Sequence, residues 1–267
     1  MTPPPRLYGL VATAAPVALI FRRGPSNWFH LVKWNLADGS IEPGGWARKK
    51  IFPRRCDIDP SGWYLSFYIA GGFQRGYSIL AGISRLPWLH PLADSEELDS
   101  TYHRGYHFVK RGQASGPFKD TPIKNLVLES SGAVSFANER RRGWTEAPEC
   151  PPRSPNDAWD EHRMIVLEKQ SPHGSALLRM NASPGSSPGH VEYWTCDYAL
   201  TWPGQTVRVS GATWAEWAPD GRLAIATDTG LLRLVEAQDT QLVTRVEHDL
   251  TKLAPDPQPP PEWSMTA

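Results

Sequence analysis

Two stretches far apart in the chain carry the same corner, and nothing else in the sequence constrains the fold as tightly. Asp59-Pro60-Ser61-Gly62 leads into Trp63-Tyr64-Leu65-Ser66-Phe67-Tyr68, and Ala218-Pro219-Asp220-Gly221 leads into Arg222-Leu223-Ala224-Ile225-Ala226. Proline pre-sets φ for the first corner position of a turn, serine or aspartate suits the next, and glycine accepts the left-handed backbone that closes a short hairpin. Such a corner also fixes register, because a one-residue slip would turn the outgoing strand inside out. A chain pinned in this way at two distant places is expected to be built from β-hairpins.

Composition points the same way. The 267 residues include 26 prolines, 22 glycines and 12 tryptophans. Proline and glycine interrupt helices and shape turns, while tryptophan packs well on pleated sheets. Residues 17–21 form a short apolar run of the kind a strand buried on both faces shows. Residues 28–36 alternate, with Trp28, His30, Val32 and Trp34 on one side and Phe29, Leu31 and Lys33 on the other. The Asp38-Gly39 pair that follows is a hairpin signal. Further short strands are expected at 77–84, 106–110, 123–128, 133–137, 163–169, 176–180, 190–197 and 206–209. Helix signals are poor: residues 94–98 could make one turn capped by Asp94 or Ser95. Residues 147–157 and 181–189 are loops by composition.

The residues around the corners carry a family resemblance. The stretch 218–224 is similar to the inner hairpin of a TolB-type or WD40-type propeller blade. Residues 31–39 resemble the third strand and outer turn of a WD40 blade, with Trp34-Asn35 where that family has Trp-Asp, and residues 229–235 continue the second hairpin as a blade would. The resemblance spans about 80 residues at the two ends of the chain. It implies an all-β chain, a small irregular β-propeller of four to six blades, and says little about activity, since propellers host many functions. A β-sandwich followed by a β meander is the alternative. On this reading residues 1–253 form a single domain, 254–267 form a Pro-rich C-terminal tail that is extended unless Trp263 docks it, and the strand at 17–21 could close the ring beside 231–235.

Charge and cysteine content limit the partners. Lys and Arg number 28, Asp and Glu number 28, and the pI is about 7.1, so the chain lacks the basic excess that nucleic-acid binding usually requires. Cys56, Cys150 and Cys196 are odd in number and form no Cys-x-x-Cys pair, which fits a reducing cytoplasm better than a disulfide framework. The apolar stretch 7–21 is interrupted by Pro16 and too short to span a membrane.

Candidate chemistry is sparse. Tyr102-His103-Arg104-Gly105-Tyr106-His107 is the densest set of functional side chains. On a strand its two histidines would share a face about 13 Å apart, too far for one metal ion. Glu139-Arg140-Arg141-Arg142-Gly143-Trp144 puts three guanidinium forks beside an indole, a pattern suited to anions or a partner surface. Tyr102, His103, Tyr106, His107, Arg140, Arg141, Arg142 and Trp144 are therefore the candidate contact residues. The Gly185-Ser186-Ser187-Pro188-Gly189 match to a nucleophile elbow lies in a proline-flanked loop, and the acids Asp157, Asp160 and Glu161 with His162 have no fixed separation. Trp34, Trp63, Trp214 and Trp217 are expected in the core, and Trp46, Trp88 and Trp144 nearer solvent. No catalytic residue, metal site or cofactor is expected. The expected role is a non-enzymatic protein–protein interaction or scaffold module. A glycan-directed hydrolase, or a receptor for a small ligand or carbohydrate, is the alternative.

Overall fold

The computed structural model describes residues 3–73, 76–92, 96–98, 105–113, 118–131, 135–154, 163–184, 194–238 and 241–266. The chain packs as two compact units, one comprising Met1–Gly132 with Leu253–Ala267 and the other Ala133–Lys252.

In the first unit, β1 (Arg6–Val11), β2 (Val17–Arg23), β3 (Phe29–Asn35) and β4 (Ile41–Ala47) form an antiparallel meander in chain order. The second sheet comprises β5 (Lys50–Ile51), β6 (Asp57–Ile58), β7 (Tyr64–Phe73), β8 (Gly76–Arg85) and β9 (Glu96–Leu98). Its first strand is broken: β5 and β6 pair with successive parts of β7, divided by a 3-10 turn at Pro53–Arg55. The third sheet has β10 (Tyr106–Lys110), β11 (Phe118–Asp120) and β12 (Leu126–Ser130), in the order β10-β12-β11. Leu19, Phe21, Leu31, Leu65, Phe67 and Tyr68 are at the centre of this unit's core. Each buried side chain of this size contributes roughly 1.5–3 kcal/mol relative to exposure.

The second unit opens with a five-residue helix, α1 (Ala137–Arg141). A five-stranded meander follows: β13 (Thr145–Glu146), β14 (Ile165–Gln170), β15 (Leu177–Pro184), β16 (Trp194–Trp202) and β17 (Gln205–Arg208). The last sheet is the four-stranded meander β18 (Ala212–Trp217), β19 (Leu223–Thr227), β20 (Leu231–Gln238) and β21 (Gln241–Asp249). Four of the five sheets are thus sequential antiparallel meanders, the construction of propeller blades, and the fold class is the all-β, irregular propeller type that the resemblance implied.

Both corners join the first strand of a sheet to the second, Pro60-Ser61-Gly62 between β6 and β7 and Pro219-Asp220-Gly221 between β18 and β19. Their glycines take the left-handed backbone, with φ of 73° at Gly62 and 83° at Gly221. Each glycine N–H donates to the carbonyl of the residue before the proline, Asp59 at 3.0 Å and Ala218 at 3.0 Å. The closing bonds differ: Ala218 N–H reaches the Arg222 carbonyl, whereas Asp59 N–H reaches the Tyr64 carbonyl, one residue further on. Trp63 is the extra residue, and the position pushes its indole outward to 51% exposure. The expectation of a core tryptophan there is overturned for that reason. Trp34, Trp214 and Trp217 are buried as expected, and Trp34 locks the outer turn by donating Nε1–H to the Gly39 carbonyl at 3.1 Å.

Other expectations are corrected. The strand at 17–21 cannot extend the sheet of 231–235: β2 has β1 on one edge and β3 on the other, and β20 lies between β19 and β21. Hairpins local in sequence occupy both edges of each strand. Residues 96–98 form β9 rather than a helical turn, because β8 offers them an edge. Ala137, expected in a strand, begins α1, and Phe136, also expected there, is its N-cap at φ 58°.

Candidate functional site

Tyr106 and His107 lie on β10, while Tyr102 and His103 fall outside the described residues. The strand is tied down along its length. Ser66 Oγ donates to the Tyr106 carbonyl at 3.1 Å, and Phe108 N–H donates to Asp57 Oδ2 at 2.9 Å. His107 is fully buried and stands opposite Glu129 of β12 in register. Its Nε2 lies 3.2 Å from Glu129 Oε2 and its Nδ1 3.3 Å from Ser131 Oγ. A hydroxyl, an imidazole and a carboxylate in a row can relay a proton. With the imidazole closed to solvent, the arrangement serves as a clamp between β10 and β12.

The arginine run diverges in space. Arg140 and Arg141 belong to α1, and Arg142 is its C-cap. Arg140 donates Nε–H to the Ser135 carbonyl at 3.1 Å and Nη2–H to Glu146 Oε1 at 2.5 Å. Arg163 also reaches Glu146 Oε1, at 2.6 Å, and its hydrogen bond is the main reason the Glu146 carboxyl is held below the usual carboxylate range. Arg142 donates to the Asn138 carbonyl at 3.3 Å, and Arg141 is exposed. Trp144 turns the other way. It is buried, against the expectation of exposure, because its Nε1–H finds a carboxylate inside: Glu216 Oε2 at 2.8 Å. Glu216 Oε1 accepts from Lys169 Nζ at 2.9 Å and from Trp217 N–H at 2.7 Å, so this buried carboxylate is satisfied on both oxygens.

A second buried polar cluster lies in the first unit and was not foreseen. Arg22 of β2 is buried and donates to the Gly24 carbonyl at 2.6 Å and the Leu253 carbonyl at 2.7 Å. Its guanidinium carbon sits 5.3 Å from the Trp46 ring centre, and His30 stacks on Trp46 at 4.3 Å with planes 3° apart. His30 is buried, and neither ring nitrogen closes a hydrogen bond. Burial first, then the Arg22 charge, lower its pKa to about 4, and the Gly44 backbone offsets only part of this. The imidazole is therefore neutral near pH 7.

The surface presents different residues. Trp63 offers its indole to solvent with Lys33 Nζ 4.5 Å from the ring centre, and Lys33 leans toward Glu42 at 3.8 Å. The turn holding Trp63 is rigid: Asp59 Oδ1 accepts Trp63 N–H at 2.8 Å and Tyr64 N–H at 2.7 Å, and the Trp63 carbonyl accepts Leu86 N–H at 2.9 Å. Asp59 Oδ2 accepts Ser61 N–H and Oγ–H as well. The signal available in the sequence was this aspartate ahead of the proline with one extra residue after the glycine. Among the described residues of this unit, Trp263 and Met265 are the other exposed large apolar side chains.

Among the described residues, no three or more His, Cys, Asp and Glu side chains group as metal ligands would, and no helix is long and apolar enough to cross a membrane. No protein-family model matches the chain, and no curated protein matches it at significant similarity.

Proposed function

We propose that the chain is a non-enzymatic interaction module whose blades are of the WD40 or TolB kind and whose partner is another protein. One observation carries this reading: a tryptophan held on a rigid corner with half its surface in water. Exposing an indole forgoes burial worth about 2–3 kcal/mol, and indoles are the side chains most enriched where protein partners bind most tightly. The backbone beneath Trp63 is fixed by three N–H bonds to one buried aspartate side chain, which also accepts the Ser61 hydroxyl, so the indole is presented with little entropy left to lose on binding. The buried His107 and Glu216, with their half-buried partners Glu129 and Lys169, hold strands together and leave recognition to the surface.

The test compares partners recovered by the full chain and by Trp63→Ala from the native host, with quantitative mass spectrometry. The reading expects at least one stoichiometric partner that the variant loses while its melting temperature stays unchanged. Identical recovery by both forms would overturn it.

A further inference from the structure

The segment 254–261 reads Ala-Pro-Asp-Pro-Gln-Pro-Pro-Pro, and each of its residues is a proline or stands directly before one. The consequence is strict. Proline fixes φ near −65°, and the residue before a proline is driven out of the helical region into the extended or polyproline II region. The whole segment is thus confined by its own covalent structure, and Pro261 shows the result with φ −66° and ψ 153°. The segment joins no sheet, and five of its eight residues have no N–H to donate to one. At about 3.1 Å per residue it spans roughly 25 Å.

The two ends are held differently, one by a bond into the core of the first unit and the other by a turn closed within the segment. The Leu253 carbonyl accepts Arg22 Nη2–H at 2.7 Å from inside the core. At the other end Ser264 is fully buried, and both its N–H, at 2.9 Å, and its hydroxyl, at 2.8 Å, donate to the Pro261 carbonyl. Between the ties, Asp256, Pro257, Gln258 and Pro259 are all exposed, while Pro255, Pro260 and Pro261 are half-buried. A polyproline II helix repeats every three residues, so Asp256 and Pro259 share one ridge, which runs on toward the exposed Glu262 and Trp263. Gln258 Nε2–H donates to Asp256 Oδ1 at 2.8 Å and braces that ridge. The outer face is therefore proline flanked by carboxylates, with no lysine or arginine from 253 to 267.

We propose that this strap is a preformed polyproline II ligand, and that its partner is a protein presenting an aromatic-lined groove flanked by basic side chains. Such grooves bind because the extended proline helix arrives already ordered and its pyrrolidine ridges fit between aromatic rings. Here the Arg22 bond at Leu253 and the Ser264 turn at Pro261 restrict the segment further, and Asp256 and Glu262 set the sign of charge the groove must carry. The inference rests on the interaction-module reading and names the partner's chemistry at a second surface of the same unit.

The experiment titrates the full chain against a panel of purified SH3, WW and EVH1 domains, which read polyproline II helices through aromatic grooves. Saturable binding to at least one domain is expected, weakened roughly tenfold or more by joint Pro257→Ala and Pro259→Ala. Asp256→Lys should weaken it as well, and so should raised salt. Both sets of positions are exposed, so melting temperatures should not move; if the proline variant unfolds, Asp256→Lys alone decides. Absence of binding across the panel would overturn the proposal, as would binding indifferent to both variants. Self-association of the chain that the proline variant abolishes would also overturn it, in favour of a second copy as occupant. Trp63-dependent partner recovery that persists when the strap is silent would leave the module reading standing and remove only this one.

Discussion

Each of the two units buries charge, and they do it in opposite ways. In the second unit the Glu216 carboxylate meets Lys169, the Trp144 indole N–H and a backbone N–H, so every oxygen has a donor. In the first, Arg22 is held by backbone carbonyls, but its neighbour His30 is enclosed with both ring nitrogens unbonded and stacked on Trp46. The first arrangement stores its stability in a pair that fails if either member goes. The second depends on an imidazole staying neutral. Buried polar groups are therefore not one kind of feature: completeness of pairing decides whether a site is sensitive to mutation or to acid.

The sharpest way to break the contrast is Lys169→Met. It strands a buried carboxylate and should cost about 3 kcal/mol in denaturant unfolding of the second unit. Adding Glu216→Gln should recover part of this, since it removes the stranded charge and its amide oxygen still accepts from Trp144, while its NH2 then faces the Trp217 N–H. A single mutant no less stable than the parent would show that the pair contributes nothing.

Acid should find the first unit instead. Above pH 6.5 the His30 imidazole is neutral in both folded and unfolded chains, and nothing is lost. Between 6.5 and about 4 the unfolded chain takes up a proton that the folded one refuses, so stability falls, reaching a loss of roughly 3 kcal/mol below that window. Hydrogen exchange of the β2 and β3 amides should follow this profile, and His30→Phe should flatten it. An unchanged acid limb in the variant would place the sensitivity elsewhere.

The two corners sharpen the comparison at smaller scale. Gly62→Ala and Gly221→Ala each force a Cβ into left-handed backbone, costing about 1 kcal/mol. At Gly62 that Cβ would also fall 2.8 Å from Val17 Cβ, against 3.3 Å from His173 Cβ at Gly221. Thermal melts should rank Gly62→Ala as the costlier, at about 2 kcal/mol. The smallest effect belongs to Trp63→Ser, expected within about 0.5 kcal/mol of the parent because the indole is already in water; a larger loss would return it to the core.

Much of the fold was legible because its determinants are local. The corners, the Asp38-Gly39 turn and the alternation along β3 act through covalent geometry and nearest neighbours, and β10 ends where the pattern ends. The candidate site was less legible. Arg140 to Trp144 looked like one surface, yet Arg140 turns to Glu146, Arg142 to the Asn138 carbonyl and the indole to Glu216, 72 residues away in sequence. Trp63 looked like blade packing, and one extra residue in its turn moved it to solvent. His30 carried no signal at all, since an imidazole on an alternating strand is ordinary until its neighbours enclose it.

By itself the sequence determined where the chain turns, where it extends and, in 254–261, the narrow extended range open to an unbroken run of proline constraints. These outcomes follow from allowed backbone angles and need no partner. Only the tertiary structure decided which side chains face water, which acid meets which base, and which strand edges were already taken. Those choices depend on residues brought together from distant parts of the chain, where burial and pairing outweigh what any short stretch prefers.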